Sequence, residues 1–272
     1  MIDYNQKFRL DSKTAYVFGG VGLIGKEISI AFALAGANVI ILDIDEDKGI
    51  NLAKELTELN TKAYFKYFDC SETKNVESNF SKLTDEFGCP EVFINCSYPR
   101  TKDWSSNSFK ELNSDSFRKN IDIHLNSHSL LVRRAAEELL NNKLKGSLIQ
   151  LGSIYGLLGQ DLNIYKDTEM SENMTYAVIK GGIINLTRQM ASYYGQYNIR
   201  VNTLTPGGIV GHVAGENHQQ NSTFINNYSE KNPLKRLGNS HEIASTALFL
   251  ASEASSYING ANIIVDGGWS IV

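Results

Sequence analysis

A phenol and an ammonium group lie one helical turn apart in the segment Tyr176-Ala-Val-Ile-Lys180. Residues at positions i and i+4 share one face of an α-helix. The phenol of tyrosine has a pKa of about 10 and is a poor base at neutral pH, but a neighbouring cation stabilises the phenolate and lowers that pKa. We therefore predict that Tyr176 acts as a general acid and base, and that Lys180 tunes its proton affinity.

A serine, Ser153, follows the fifth apolar run of the chain, residues 147–151. If this run is a strand, the serine hydroxyl lies at the carboxyl edge of a sheet, where it could hold a substrate oxygen beside Tyr176. Such an arrangement permits a concerted exchange of hydride and proton. A serine after a strand is also a common helix cap, and the sequence leaves that role open.

A glycine-rich turn joins the first apolar run to a helical pattern, in the order Gly19-Gly20-Val21-Gly22-Leu23-Ile24-Gly25. Glycine permits a tight turn and a close approach of the backbone to a pyrophosphate, and the start of a helix offers free N–H groups. A plain strand-to-helix turn is the alternative for this motif taken alone. The residues that we expect to contact a dinucleotide are Gly19, Gly22, Leu23, Ile24 and Gly25.

An aspartate, Asp43, follows the second apolar run, about 20 residues after the glycines. In that position a carboxylate can accept both hydroxyls of the adenosine ribose, and its charge would repel the 2′-phosphate of NADP. Neither the glycine turn nor Ile44 supplies an Arg or Lys for that phosphate, so the predicted cofactor is NAD. An acid that merely complements the dipole of the next helix is the alternative.

Apolar runs alternate with helical periodicity along the chain. Runs without polar alternation indicate strands that are covered on both faces. The sequence therefore predicts an α/β fold: one Rossmann-type domain over residues 1–272, a doubly wound parallel sheet of about seven strands with helices on both faces. The predicted helices include one continuous helix at residues 115–141, and the stretches 156–174 and 207–232 are predicted to be substrate loops.

The composition excludes several classes of protein. The chain has 272 residues, 42% of them hydrophobic and 21% charged, with a formal charge of -4, which offers no basic field for nucleic acid or an anionic membrane surface. Its three cysteines, Cys70, Cys89 and Cys96, are an odd number without paired metal-ligand spacing. No segment has the apolar length of a signal peptide or a membrane span. We expect a cytoplasmic protein with a small-molecule substrate and no metal.

Taken together, the motifs resemble those of the short-chain dehydrogenase/reductase family in its compact form. The segment Ser153-Ile-Tyr-Gly156 resembles the family's Ser-x-x-Gly, and residues 176–180 match its Tyr-x-x-x-Lys. Asn95 corresponds to the first residue of its Asn-Asn-Ala-Gly motif, and residues 199–207 and 265–268 match two further signatures. The resemblance covers almost the whole chain.

This resemblance implies an NAD-dependent oxidoreductase that transfers hydride between the nicotinamide and a carbinol or carbonyl carbon. Tyr176 would be the acid and base, Ser153 would orient the substrate, and Lys180 would bind the nicotinamide ribose. The family also suggests a homo-oligomer, a tetramer or a dimer. The other implied cofactor contacts are Asp69 at the adenine with its neighbour Cys70, then Asn95, Pro206, and Ile209 at the carboxamide.

Departures from the family pattern suggest alternatives. Leu23 occupies the usual second glycine of the compact form, and Phe18 replaces a threonine. The resulting glycine spacing resembles the extended branch of nucleotide-sugar epimerases and dehydratases, which is one alternative function. A non-catalytic NAD-binding scaffold is another.

His124 stands where the family has its fourth catalytic residue, an asparagine. We hypothesise that this imidazole, a group able to titrate near neutrality, takes over a water-mediated proton relay to Lys180. The alternative is that it only fills space in a kinked helix.

The substrate side is similar to a subgroup associated with flagellin modification and bacterial surface sugars. This similarity rests on the segment Ser97-Tyr-Pro-Arg100 and on the 23 positions from Ser153 to Tyr176, a longer spacing than usual in the family. Arg100, with Tyr155, is a candidate substrate contact, because a guanidinium can hold a phosphate or carboxylate in two hydrogen bonds. A sugar phosphate would suit it, and a plain surface arginine is the alternative.

Overall fold

Seven parallel strands form the centre of the computed structural model, which describes residues 1–212 and 219–272. The strands are β1 (Thr14–Phe18), β2 (Asn38–Asp43), β3 (Lys62–Tyr67), β4 (Val92–Asn95), β5 (Gly146–Leu151), β6 (Ile199–Pro206) and β7 (Asn262–Val265). They lie in the order β3-β2-β1-β4-β5-β6-β7, and each neighbouring pair is parallel. The strand order reverses between β1 and β4, which is where open sheets of this type bind ligands.

Eight α-helices connect the strands of the described chain. They are α1 (Leu23–Leu34), α2 (Glu46–Glu58), α3 (Val76–Phe87), α4 (Ser114–Asn120), α5 (Ser127–Asn141), α6 (Met174–Tyr194), α7 (Ser222–Lys231) and α8 (Ser240–Ala251). One core packs α1, α2 and α8 on one face of the sheet, and a second packs α3, α5 and α6 on the other. The predicted doubly wound α/β fold is therefore confirmed.

The predicted continuous helix at 115–141 is wrong at its centre. A π-helical turn, Ile121–Asn126, separates α4 from α5. The Ser127 hydroxyl donates to the carbonyl oxygen of His124 at 2.9 Å, so this carbonyl has a side-chain donor at the point where the helix widens. Periodicity alone does not reveal such a turn, because the apolar residues before it and those after it each keep helical spacing.

The predicted loop at 207–232 is also wrong in part, since it contains α7. This helix begins at Asn221, whose side chain accepts from the backbone N–H of Phe224 at 3.1 Å. Its composition of Asn, Ser and Thr has low helix propensity, and its packing on the rest of the chain outweighs that preference. Residues 213–218 of this predicted loop lie outside the described residues.

Within the described ranges, no helix combines the length and apolar character needed to cross a membrane.

Candidate active site

The glycine turn is packed so closely that three of its four glycines admit no side chain. A Cβ at Gly20 would lie 2.8 Å from the carbonyl oxygen of Val17. Gly19 has a φ of 67°, and a Cβ there would lie 2.6 Å from the backbone nitrogen of Ser97. A Cβ at Gly25 would lie 2.0 Å from the carbonyl oxygen of Gly19. All three positions therefore require glycine, and the contacts at Gly19 and Gly25 bring the turn, α1 and the end of β4 together.

The remaining glycine, Gly22, is different because the protein itself leaves room for a side chain. It is exposed, and an added Cβ would meet only the Gly19 carbonyl oxygen, at 3.4 Å. Gly22 is the N-cap of α1, and it provides no side-chain cap for the first N–H groups, nor is there an acidic residue in the first turn. A helix start with uncapped N–H groups and an open approach fits the pyrophosphate of a dinucleotide.

Asp43 connects the end of β2 to this turn. Its Oδ2 accepts from the N–H of Val21 at 3.1 Å, and its Oδ1 accepts from the N–H of Ile44 at 2.8 Å. The N-cap of α2 is instead Asp45, which accepts from the N–H of Lys48 at 3.1 Å. Asp43 is thus not the cap of α2, and its carboxylate lies against the glycine turn.

The remaining candidate cofactor residues follow the other strands at the same edge. The side chain of Asp69 accepts from the N–H of Ser71 at 2.7 Å, and its neighbour Cys70 is buried. Pro206 ends β6, and Ile209 forms a parallel bridge with Gly238.

Asn95, at the end of β4, is fully buried. Its Oδ1 accepts from both the N–H and the hydroxyl of Ser97, at 3.0 and 2.6 Å, while its Nδ2 has no hydrogen-bond partner among the described residues. Leu23, where the family has a glycine, packs against Gly211: a Cβ on that glycine would lie 2.6 Å from Leu23 Cδ2. The leucine therefore joins α1 to the segment after β6.

The candidate catalytic residues meet as the spacing predicted. Lys180 is buried, its Nζ donates to the Leu151 carbonyl oxygen at 2.9 Å, and the same nitrogen lies 5.6 Å from the centroid of the Tyr176 ring. The Ser153 hydroxyl lies close enough to the Tyr176 phenol to lower the pKa of that phenol. Ser153 also accepts from the N–H of Tyr155 at 3.2 Å, so it caps a short turn as well as facing the phenol.

Burial dominates the proton affinities here. It raises the pKa of Tyr176, and the Ser153 hydroxyl opposes that shift without reversing it. Burial also lowers the pKa of Lys180 to about 8. The chain by itself therefore does not show the expected lowering of the Tyr176 pKa, and the phenol is protonated at neutral pH, which is the form that can donate to a carbonyl oxygen.

His124 lies on the π-helical turn and is completely buried. Burial, then Lys180, then His128 lower the pKa of His124 well below its usual value. The imidazole is neutral at pH 7, so the expectation that it titrates near neutrality is wrong. Neither of its ring nitrogens has a hydrogen-bond partner among the described residues, and its ring centroid lies 5.0 Å from that of His128.

Two aromatic residues that the sequence reasoning missed surround the phenol. The ring centroids of Tyr98 and Trp104 lie 5.9 and 6.2 Å from that of Tyr176, both in edge-to-face geometry. The Arg100 guanidinium lies 5.5 Å from the centroid of the Tyr98 ring, so Arg100 and the candidate acid Tyr176 both contact this ring. Aromatic residues in a segment without periodicity carry no local signal of such a contact.

The two predicted substrate segments are joined to each other. Asp161 and Lys231 form an ion pair at 2.7 Å, and the rings of Tyr165 and Phe224 stack with centroids 6.1 Å apart. A small separate core of Ile154, Ile164, Tyr228, Leu237 and Trp269 lies beneath them. Tyr155 packs against this core, and its buried phenol oxygen has no hydrogen-bond partner in the described part of the chain.

Among the described residues, no three His, Cys, Asp or Glu side chains converge in a way that could hold a metal ion.

Comparison with known proteins identifies the class. A family model described as "Enoyl-(Acyl carrier protein) reductase" matches residues 22–270. The chain belongs to the short-chain dehydrogenase/reductase family of oxidoreductases, as its motifs indicated.

Individual relatives span nearly the whole chain. Post-translational flagellin modification protein A of Campylobacter coli is 27% identical over 263 residues, 96% of this chain and 100% of that protein. The ribulose-forming D-arabinitol 2-dehydrogenase of Scheffersomyces stipitis is 28% identical over 276 residues, 96% of this chain and 95% of that protein. The crystal structure of gox2181 has a TM-score of 0.87 at 25% identity and covers 99% of this chain and 100% of its own.

Proposed function

We propose that the protein is a cytoplasmic NAD-dependent dehydrogenase that interconverts a carbinol and a carbonyl carbon in a polar, sugar-like substrate, and that it works as a homotetramer or homodimer. The observation that carries the proposal is the contact of Ser153 with the Tyr176 phenol while Lys180 lies beside the same ring. Function must be argued from the site rather than from the fold, and this site holds a complete set of groups for proton transfer.

In the direction of reduction, the protonated Tyr176 phenol donates to the substrate oxygen as the carbonyl carbon is reduced. Ser153 holds that oxygen by a hydrogen bond. Lys180 is held by the Leu151 carbonyl oxygen, and its charge stabilises the phenolate that the transfer leaves behind. When bound, the cofactor would supply the hydride as NADH in this direction and accept it as NAD⁺ in the reverse direction. The reverse direction uses the same groups, with the phenolate as base.

The choice of NAD over NADP rests on Asp43. Its carboxylate faces the glycine turn, and no Arg or Lys occupies that turn or the next position, Ile44. The nearest lysine of the following helix, Lys48, is paired with Asp45 at 2.7 Å. A 2′-phosphate would therefore meet the Asp43 charge, while Lys48 is already paired with Asp45.

A sugar-like substrate is supported by two relatives, which are named as a flagellin modification protein and an arabinitol dehydrogenase. Arg100 contacts the Tyr98 ring, which also contacts Tyr176, and it is our candidate for holding a phosphate or carboxylate on that substrate. Tyr155 is the candidate for a second contact, because its buried phenol oxygen has no partner in the described residues.

His124 keeps a proposed role as a neutral member of a water-mediated relay to Lys180. Its two ring nitrogens lack partners among the described residues, and buried polar groups of that kind commonly bind ordered water. We expect His124→Asn to lower turnover and to shift the pH profile of kcat. Higher turnover, or a pH profile that stays unchanged, would contradict the relay.

Two other functions are separated from the proposed one by cofactor turnover. The spacing of Gly19, Gly22 and Gly25 favours an epimerase or dehydratase with tightly bound NAD, which would show transient reduction and no net NADH. A non-catalytic scaffold would bind NAD without any reduction.

The deciding experiment is calorimetric titration with NAD and NADP, followed by an absorbance screen for NADH against polyols and sugar phosphates. We expect NAD to bind more tightly, and Tyr176→Phe to lose about 1000-fold in kcat while its Kd for NAD changes less than about twofold. NADH formation that survives this substitution would remove Tyr176 from the mechanism, and NAD binding without NADH on the whole panel would favour the two alternatives.

A further inference from the structure

Asn173, the residue before α6, bonds to three separate segments around the candidate site. Its Oδ1 accepts from the N–H of Tyr176 at 2.8 Å, so it caps the helical turn that carries the reacting phenol. Its Nδ2 donates to the carbonyl oxygen of Trp104 at 2.9 Å. The same side-chain amide therefore fixes the backbone of the catalytic tyrosine and that of an aromatic residue whose ring contacts it.

Gln160 supplies the third link, to the backbone of Asn173. Its Oε1 accepts from the N–H of Asn173 at 3.2 Å, and its Nε2 donates to the carbonyl oxygen of Asn173 at 3.0 Å. The oxygen Oε1 also accepts from the hydroxyl of Tyr165 at 2.8 Å, and the Tyr165 ring stacks on Phe224 of α7. The two amides thus join the segments that follow β4 and β5. The stacked rings of Tyr165 and Phe224 extend this connection to the segment that follows β6.

A third residue with a side-chain amide, Asn107, supports the same junction. The backbone N–H of Met174 donates to the carbonyl oxygen of Asn107 at 2.9 Å, and the Thr175 hydroxyl donates to Oδ1 of Asn107 at 2.6 Å. Asn107 and Thr175 are both fully buried. The first turn of α6 is therefore held from outside the helix at several consecutive positions, far more than a helix start needs for its own stability.

We propose that Asn173 and Gln160 are positioning residues, which hold the substrate-facing segments at 98–107 and 157–166 to the first turn of α6 and so determine where the Tyr176 phenol lies. Neither residue touches the reacting atoms. The inference rests on the proposed function for its kinetic consequences, but the mechanical link that it describes exists with or without a substrate. A displacement of about 1 Å in such a group costs up to about a hundredfold in rate.

The test is amide hydrogen exchange on the full-length protein, read in three segments: the first turn of α6, residues 101–107 and residues 158–166. Asn173→Ala should raise exchange at least about fivefold in all three. Asn173→Asp keeps an acceptor for the Tyr176 N–H but loses the donor to Trp104, so it should restore protection in α6 and leave 101–107 unprotected. Gln160→Leu should raise exchange at 158–166 and at Asn173.

Asn113→Ala is the matched control, because Asn113 caps α4 in the same way, accepting from the N–H of Asp115 at 2.8 Å, and bonds to none of the three segments. It should raise exchange only at the start of α4. If Asn173→Ala raised exchange in the first turn of α6 alone, Asn173 would be an ordinary cap and the proposal would be overturned.

Kinetics give a second readout with a substrate found by the NADH screen. We expect Asn173→Ala to lower kcat about ten- to a hundredfold, and the kcat of Asn173→Asp to lie between that of Asn173→Ala and that of the wild type. The kcat of Asn113→Ala should stay within about twofold of the wild-type value. The Kd for NAD should be unchanged in all three variants. An unchanged kcat in Asn173→Ala would contradict the positioning role. Failure of the proposed function can be distinguished from failure of the positioning role. If the proposed function is wrong, the wild-type protein forms no NADH, but hydrogen exchange can still be measured in all variants.

Discussion

The glycine turn at residues 19–25 is held by backbone against backbone, whereas the segments around Tyr176 are held by side-chain amides. In the turn, the limiting contacts are those of Gly19 with Ser97 and of Gly25 with Gly19, all between main-chain atoms. Around Tyr176, the contacts run through Asn173, Gln160 and Asn107. The first region tolerates no added atom at Gly19 or Gly25, and the second depends on side chains that a single substitution can remove.

The two regions also differ in electrostatics. Asp43 at the cofactor end is half-buried and accepts from backbone N–H groups. At the chemical end, Lys180 and His124 are buried with lowered pKa values, so this end holds ionisable groups in an environment that disfavours charge. Substitutions that act on one region should therefore leave the other nearly unchanged.

The largest effect is expected at Gly25. Gly25→Ala places a Cβ against the backbone of Gly19, and we expect it to lower the free energy of unfolding by about 3 kcal/mol and to abolish NAD binding. Gly22→Ala is the matched control: it should change stability by less than about 0.5 kcal/mol but weaken NAD binding at least about tenfold. Urea unfolding and calorimetry measure the two quantities. Equal loss of stability in both variants would contradict the distinction between the glycines.

Next in size is a pH dependence at Lys180. Burial lowers its pKa from 10.5 to about 8, so between these values the unfolded chain binds a proton that the folded chain has lost, and stability rises with pH. Lys180→Met removes this cost. We expect its stability advantage over wild type to shrink by about 3 kcal/mol as the pH rises from 8 to 10.5. Urea unfolding at several pH values measures it.

Lys82→Met makes the same replacement at an exposed position and is the matched control, against which the pH dependence of Lys180→Met is read. If Lys180→Met showed no more pH dependence than this control, the Lys180 ammonium would not be desolvated, and the electrostatic contrast between the two regions would disappear.

A smaller effect is expected at Asp43. Asp43→Ser removes the charge that opposes a 2′-phosphate, and we expect the ratio of NAD to NADP affinity to fall at least about tenfold, or about 1.4 kcal/mol. Asp47→Ser removes an exposed acid from the first turn of α2 without breaking the pair of Asp45 with Lys48, and it should leave the ratio within about twofold. Calorimetric titration with NAD and with NADP measures the ratio of affinities in each variant. A stronger preference of the wild type for NADP would overturn the assignment to Asp43.

The smallest effect is expected at the ion pair between Asp161 and Lys231, which is partly exposed. We expect a coupling energy below about 1 kcal/mol in a double-mutant cycle of Asp161→Asn and Lys231→Met, measured by urea unfolding. The Lys231 ammonium also lies 4.5 Å from the Trp269 centroid, so Lys231→Met alone should cost more than Asp161→Asn alone. The reverse order would show that the aromatic contact contributes nothing.

The contrast between the glycine turn and the segments around Tyr176 explains which features could be predicted from the sequence. The alternation of strands and helices, the glycine turn and the approach of Lys180 to Tyr176 follow from local periodicity and spacing, and the family comparison confirms the class. The amide junction at Asn173 could not be predicted, because its partners Gln160 and Trp104 lie 13 and 69 positions away in the chain. The neutrality of His124 depends on burial that only the packed helices create.

The π-helical turn at Ile121–Asn126 changes the direction in which the side chains of α5 point relative to those of α4. One additional residue rotates everything after it by about 100° about the helix axis. This rotation lets Asn120 face Thr101, to which its Nδ2 donates at 2.8 Å, while His128 further along faces Ser97, whose carbonyl oxygen lies 3.1 Å from its Nε2. Deleting one residue from the turn would restore an unbroken helical phase and make it impossible for both contacts to form at once.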